Sequence, residues 1–131
     1  MIYLWIMAGS ALGGASRFWL SGLIANSFGE TFPWGTLIIN ITGSLVIGFF
    51  ATLTGPDGKV MVASEVRQFV MIGICGGYTT FSSFSLQTLN LVRNGEMAQA
   101  AANIGMSVVF CLVAVWLGHA AAANLNALRG A

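Results

Sequence analysis

Very little of this chain is charged. Five Lys/Arg and four Asp/Glu make up 7% of its 131 residues and leave a formal net charge of +1. Soluble domains carry roughly 25% charged residues, so this composition does not furnish a water-facing surface. Nor does it furnish the basic stripe that phosphate backbones demand, which excludes nucleic acid as a partner. Histidine occurs once, as His119, with no acidic neighbour within several residues. Metal catalysis or a histidine-activated nucleophile is left without its parts. The two cysteines, Cys75 and Cys111, lie far apart inside apolar runs. That is the pattern of neither a zinc site nor a disulfide scaffold. An ordinary hydrolytic enzyme is excluded on these grounds, and the chain is read as a non-enzyme.

What the chain does have is apolar length, with 56% hydrophobic residues. A helix needs about 20 mostly apolar residues to cross the hydrocarbon core of a bilayer. Four stretches meet that requirement: Tyr3 to Ala25, Pro33 to Leu53, Gln68 to Val92 and Met97 to Ala123. The expected fold class is an all-α membrane protein made of one transmembrane domain over residues 1–131. The first stretch lacks a basic leader and outruns a signal-peptide core, so it is read as a retained span. Turn residues punctuate the connections at Asn26 to Glu30, Thr54 to Lys59 and Arg93 to Glu96, and Thr31 with Pro33 supplies a start for the second helix. All four acidic residues, Glu30, Asp57, Glu65 and Glu96, fall between these four stretches.

The loops give a weak instruction for orientation. With a cytoplasmic N-terminus, Lys59, Arg67 and Arg129 lie on the cytoplasmic side and Arg93 on the other, with Arg17 inside the first helix. A margin this small permits insertion both ways round, and hence an antiparallel dimer of the chain with itself. Small residues recur at Gly9 and Gly13, Ser44 and Gly48, and Gly73 and Gly77. Their plainer use is close packing within one chain, and their sharper use adds a dimer interface. Four helices enclose too little room for a water-filled pore, so a conduction pathway calls for a second subunit.

The most unusual stretch runs from Gly73 to Ser85, Gly-Ile-Cys-Gly-Gly-Tyr-Thr-Thr-Phe-Ser-Ser-Phe-Ser. Paired glycines followed by a Thr/Ser run weaken a helix where lipid cannot satisfy freed backbone groups. A break in the third helix is expected near Gly76 to Thr80; the alternative is a continuous helix whose glycines serve packing. Beyond the break, Phe81 and Phe84 share one face and Thr80, Ser83 and Gln87 an adjacent strip. Phenyl rings in a membrane are commonly filler, yet their electropositive edges can lie against an anion. In the fourth helix Asn103, Ser107 and Cys111 follow i, i+4, i+8 spacing. Asn40, with Thr36 one turn before it, adds a further neutral donor on the second helix. Singly these side chains serve equally well as glue between helices; as a set they form a track of neutral donors. Arg17, well inside the first span, either snorkels to a headgroup or sets a positive field at a pore mouth.

At these residues the chain resembles the Fluc, or CrcB-type, fluoride channels of bacteria. The resemblance covers essentially the whole chain, through Gly-Gly-Ala-Ser-Arg-Phe at 13–18, Gly-Thr-Leu-Ile-Ile-Asn at 35–40 and the segment at 73–85. It implies a dual-topology antiparallel homodimer in the bacterial inner membrane, with two fluoride pathways near the subunit interface. It also implies third helices that break and cross at the centre, around a structural sodium ion held by backbone carbonyls at positions matching Gly76 and Thr79. Phe81 and Phe84 match the family's aromatic pair, Asn40 its second-helix asparagine, Arg17 its first-helix arginine, and Asn103, Ser107 and Cys111 its fourth-helix track. Two positions depart from the pattern: Cys111 stands where a hydroxyl is usual, and Gln87 where many members have Glu.

The physical requirement agrees with the resemblance. Fluoride is small and strongly hydrated, so its pathway must replace water with donors while avoiding a fixed charge that would trap it. The expected function is passive fluoride export through two pores per homodimer. A small dual-topology, proton-coupled multidrug exporter is the alternative, and it lacks here the membrane carboxylate that would carry the proton. A purely structural membrane subunit is a third possibility.

Overall fold

A computed structural model describes residues 1–130, with side chains through Leu128. Arg129, counted above among the loop charges, lies outside the residues whose side chains are described. Among the described residues every regular element is helical. The order is α1 (Ile2–Phe28), α2 (Trp34–Leu53), α3 (Ser64–Gln68), a π-helical stretch (Phe69–Cys75), α4 (Gly76–Tyr78), α5 (Phe81–Arg93) and α6 (Met97–Gly130).

Among the described residues three helical runs are long and apolar enough to cross a membrane: Trp34–Leu53, Ser64–Arg93 and Met97–Leu128. α1 has the length, at 27 residues. Its Gly, Ser, Arg17 and Asn26 leave it less apolar than those three. The bilayer reading also explains an exterior that a soluble protein would not tolerate. Phe18, Trp19, Leu112 and Trp116 are all more than half exposed, while Asn103 and Ser107 are buried. Large apolar side chains face outward and small or polar ones inward, as a hydrocarbon solvent permits.

Helix contacts run along small residues. α1 lies against the π-helical stretch and α4, with Gly9 facing Gly73; a Cβ added at Gly9 would sit 2.9 Å from the Gly73 Cα. α2 and α6 form the most extensive pairing, closed at Gly48 and Gly118, where a Cβ on Gly118 would stand 2.8 Å from the Phe49 nitrogen. Of the two uses weighed for the small residues, packing within the chain occupies Gly9, Gly13, Gly48, Gly73 and Gly77.

At one end α2 is finished by side chains from elsewhere. Arg67 donates from Nε to Thr54 Oγ1 (3.2 Å) and from its guanidinium NH2 to the Ala51 carbonyl (3.2 Å), so a cation meets the negative end of the helix dipole. Asn126 donates to the Thr52 carbonyl (3.2 Å) and accepts from the Lys59 backbone (3.0 Å). His119 Nδ1 lies 2.8 Å from Thr52 Oγ1. These bonds tie the loop after α2 to the far half of α6.

The run from Ser64 to Arg93 is interrupted once. Gly76 remains helical, with φ −65° and ψ −38°. The extended residues are Thr79 (φ −84°, ψ 160°) and Thr80 (φ −153°, ψ 119°). The paired glycines therefore stay inside helical geometry, and Gly77 serves the contact with α1, where it packs on Ser10. Two β-branched residues take the extended conformation that suits them.

Candidate functional site

An open groove of about 410 Å³ lies between α2, the interrupted run and α6. Asn40 and Gly43 line it from α2, Gly76 and Thr79 through Phe81 together with Phe84 from the interrupted run, and Ser107 and Cys111 from α6. Among the described residues that line it, none carries a charge. Eight of the positions singled out in the sequence thus meet in one place: Asn40, Gly76, Thr79, Thr80, Phe81, Phe84, Ser107 and Cys111.

The interruption organises this groove. Thr80 caps α5: its Oγ1 accepts from the Ser83 backbone N–H at 3.1 Å and lies 3.3 Å from Ser82 Oγ. Asn40 holds the same residue from α2. Its Oδ1 accepts from the Thr80 N–H (2.8 Å) and its Nδ2 donates to the Thr80 carbonyl (3.0 Å). A primary amide thus replaces the helix partner that the Thr80 N–H lacks and adds a bond to its carbonyl, in one reciprocal pair. One Asn40 amide hydrogen remains outside this pair. Thr79 turns its hydroxyl back onto the Cys75 carbonyl at 2.8 Å, so its side chain is committed to its own helix.

Phe81 and Phe84 stand as neighbours, with ring centroids 5.3 Å apart and planes at 48°. Phe81 is 78% exposed, so much of its ring is free to meet lipid, a ligand or another chain. On α6, Ser107 and Asn103 are buried. Ser107 Oγ donates to Asn103 Oδ1 at 3.5 Å, Asn103 Nδ2 donates to Thr88 Oγ1 at 2.9 Å, and Thr88 donates to the Phe84 carbonyl at 2.8 Å. Asn103 stands behind the groove and joins α6 to α5, whereas Ser107 and Cys111 reach its wall.

Two further sequence candidates stand outside the groove. Ser83 contributes its backbone to the cap on α5. Arg17 is half-buried on the opposite side of α4, where Nε donates to the Gly77 carbonyl at 3.1 Å. That carbonyl would be paired with the residue-81 N–H in an unbroken helix, so a cation from α1 closes the end of the helix just before the interruption.

The whole chain matches known proteins. The model of the family described as CrcB-like protein, Camphor Resistance (CrcB), matches residues 4–119. The chain belongs to the CrcB family. It is 63% identical over 131 residues, all of both chains, to a protein of Methylocella silvestris named as a fluoride-specific ion channel. Proteins of the same name from Rhodospirillum rubrum and Opitutus terrae are 64% identical over 126 residues and 60% identical over 129. Those alignments cover 96% and 98% of this chain, and 98% of each relative. These CrcB relatives are named as channels, not enzymes, and the chain is a multi-pass membrane protein.

In this CrcB chain, sequence reasoning passed over Thr42 and Thr88. Thr88 was visible as the residue one turn beyond Phe84, and Thr42 as a hydroxyl one turn before Val46. Neither belongs to a stretch of unusual composition. A second cavity of about 560 Å³ opens where α1 ends and α2 begins, lined by Glu30, Thr31, Trp34, Gln87, Asn90 and Glu96 among others. Gln87 thus faces away from the groove that holds Phe84, one turn before it, and its buried Oε1 has no hydrogen-bond partner among the described residues.

Proposed function

We propose that the chain is a fluoride-selective channel that lets the ion leave the cytoplasm passively. The observation that carries this reading is the groove itself: neutral donors and aromatic edges in a wall without a charged side chain. Fluoride leaving water needs donors to replace its hydration, yet a buried cation would hold it too tightly for rapid transit. The free Asn40 amide hydrogen would supply a donor, the Ser107 hydroxyl another by turning from its long bond to Asn103 Oδ1, and the edges of Phe81 and Phe84 a weaker electropositive surface. Cys111 would be the poorest donor of the set. Asn103 and Thr80 would act by aiming these groups, Ser83 by anchoring the start of α5. Arg17 would lend positive potential from behind the interruption without touching the ion.

In this reading α1 also spans the bilayer, giving four spans with the third interrupted at membrane depth. Two chains lie antiparallel in the inner membrane, each completing the other's open groove. The exposure of Phe81 supports this, because a ring that lines a pathway needs a second wall. A structural sodium ion fits the backbone of the interruption. The Thr80 N–H, usual partner of the Gly76 carbonyl, is taken by Asn40. The trans peptide points the Thr79 carbonyl away from Asn40, since its N–H points toward it. Two such carbonyls are hard oxygen donors of the kind that hold alkali cations. Bound there, sodium would supply a fixed positive charge between the pathways.

The test is ion efflux from liposomes loaded with potassium fluoride and opened to potassium by valinomycin, repeated with chloride. Rapid fluoride release with negligible chloride release is the expected outcome. Release of neither ion by well-dispersed protein would reject the channel.

A further inference from the structure

One hydrogen bond at the interruption belongs to no part of the groove. Thr42 Oγ1 lies 2.9 Å from the Ile38 carbonyl, 3.1 Å from the Ile39 carbonyl and 2.8 Å from the Tyr78 hydroxyl. A threonine hydroxyl has a single hydrogen, and a carbonyl has none to give. The Thr42 hydrogen is therefore directed at its own helix, and the contact with Tyr78 is donated by the phenol. This also gives the phenol hydrogen its acceptor inside a membrane, where a missing one is costly.

We propose that Tyr78 and Thr42 are positioning residues: their hydrogen bond fixes the backbone just before Thr79 and thereby sets where Thr79, Thr80 and Phe81 stand in the groove. The proposal goes beyond the channel reading, on which its functional half rests, because neither side chain lines the groove.

The geometry is that of a fork. Successive helical residues advance by about 100°, so Asn40 and Thr42 leave α2 on opposite sides and Gly43 faces between them. Asn40 grips the Thr80 backbone, Thr42 grips the Tyr78 ring, and Gly43 leaves room for what lies between. A Cβ on Gly43 would sit 3.1 Å from Tyr78 Cδ2 and collide with the Thr79 methyl. Thr79 is thus held at both neighbours by one helix, while Arg17 holds Gly77 from another. Two extended residues between helices have no ladder of their own to fix them. Loss of one arm leaves the Thr79 backbone free to rotate about the other.

The removal of either partner is unequal in effect. Tyr78→Phe takes away the donor and leaves Thr42 satisfied by Ile38. Thr42→Val leaves a phenol hydrogen without an acceptor, which is the more damaging state. We would measure amide hydrogen exchange over residues 79–81 and fluoride efflux, on variants that elute from size exclusion like the wild type. Tyr78→Phe is expected to speed exchange at Thr80 and to slow efflux, each about fivefold. Thr42→Val should exceed it in both, the double variant should return to the Tyr78→Phe level, and Thr42→Ser should match the wild type. Wild-type exchange in Tyr78→Phe, or a Thr42→Ser variant as impaired as Thr42→Val, would overturn the proposal. A wild-type protein that moves no fluoride while the exchange pattern holds would reject the channel reading and keep the clamp.

Discussion

At the scale of single residues, Asn40 has two duties that substitution can separate. Asn40→Ala removes both bonds to the Thr80 backbone and should lower stability by about 1–3 kcal/mol, read as a lower thermal midpoint in detergent. Asn40→Asp keeps the acceptor for the Thr80 N–H but replaces the remaining donor with negative charge. It should cost less stability than Ala while cutting fluoride efflux more than tenfold, since a carboxylate in the groove repels the anion strongly where the dielectric is low. Phe84→Ile keeps apolar volume and removes the ring edge. It should slow efflux by about fivefold at unchanged stability, in line with an aromatic contribution of about 1 kcal/mol. Cys111→Ser works in the opposite direction, because a hydroxyl donates better than a thiol, and efflux should rise about twofold.

At the scale of elements, the decisive features are the glycine seam and the interruption. Gly118→Leu should lower the thermal midpoint, because its side chain would enter the space of Phe49 on α2, an overpacking worth about 1–3 kcal/mol. The small residues at 9, 13, 73 and 77 were legible in the sequence because four-residue spacing is a helix-face signal. The groove's composition was legible for the same reason: Ser107 and Cys111 share a face by count, and the Thr-Thr-Phe-Ser-Ser-Phe run announces itself. The partners of Arg17, Asn103 and Thr42 were not legible. Each bonds to a residue 15 to 60 positions away, and an extended dipeptide resets the helical phase on which spacing arguments depend. The exit from helical geometry at Thr79 instead of the glycines has the same origin, since Gly77 is held in α4 by its packing on α1.

At the scale of the whole molecule, three long apolar runs and an outward-facing apolar surface make the bilayer the solvent. The open groove and the exposed Phe81 ring argue for a second chain. A single cysteine placed at Asp57, in a background free of Cys75 and Cys111, should be labelled by an impermeant reagent from both sides of the membrane in roughly equal amounts if both orientations insert. Labelling from one side alone would reject the antiparallel dimer. α6, about 50 Å long at 34 residues, exceeds the hydrocarbon core and carries Asn126 and its bonds to the loop beyond it. The glycine contacts carry a consequence for inheritance. Where backbones touch, every mutation adds atoms, whereas at Phe18, Trp19, Leu112 or Trp116 one greasy side chain can replace another against fluid lipid. Saturation mutagenesis scored by growth in fluoride should find the smallest residues the least replaceable and many of the largest nearly free to drift.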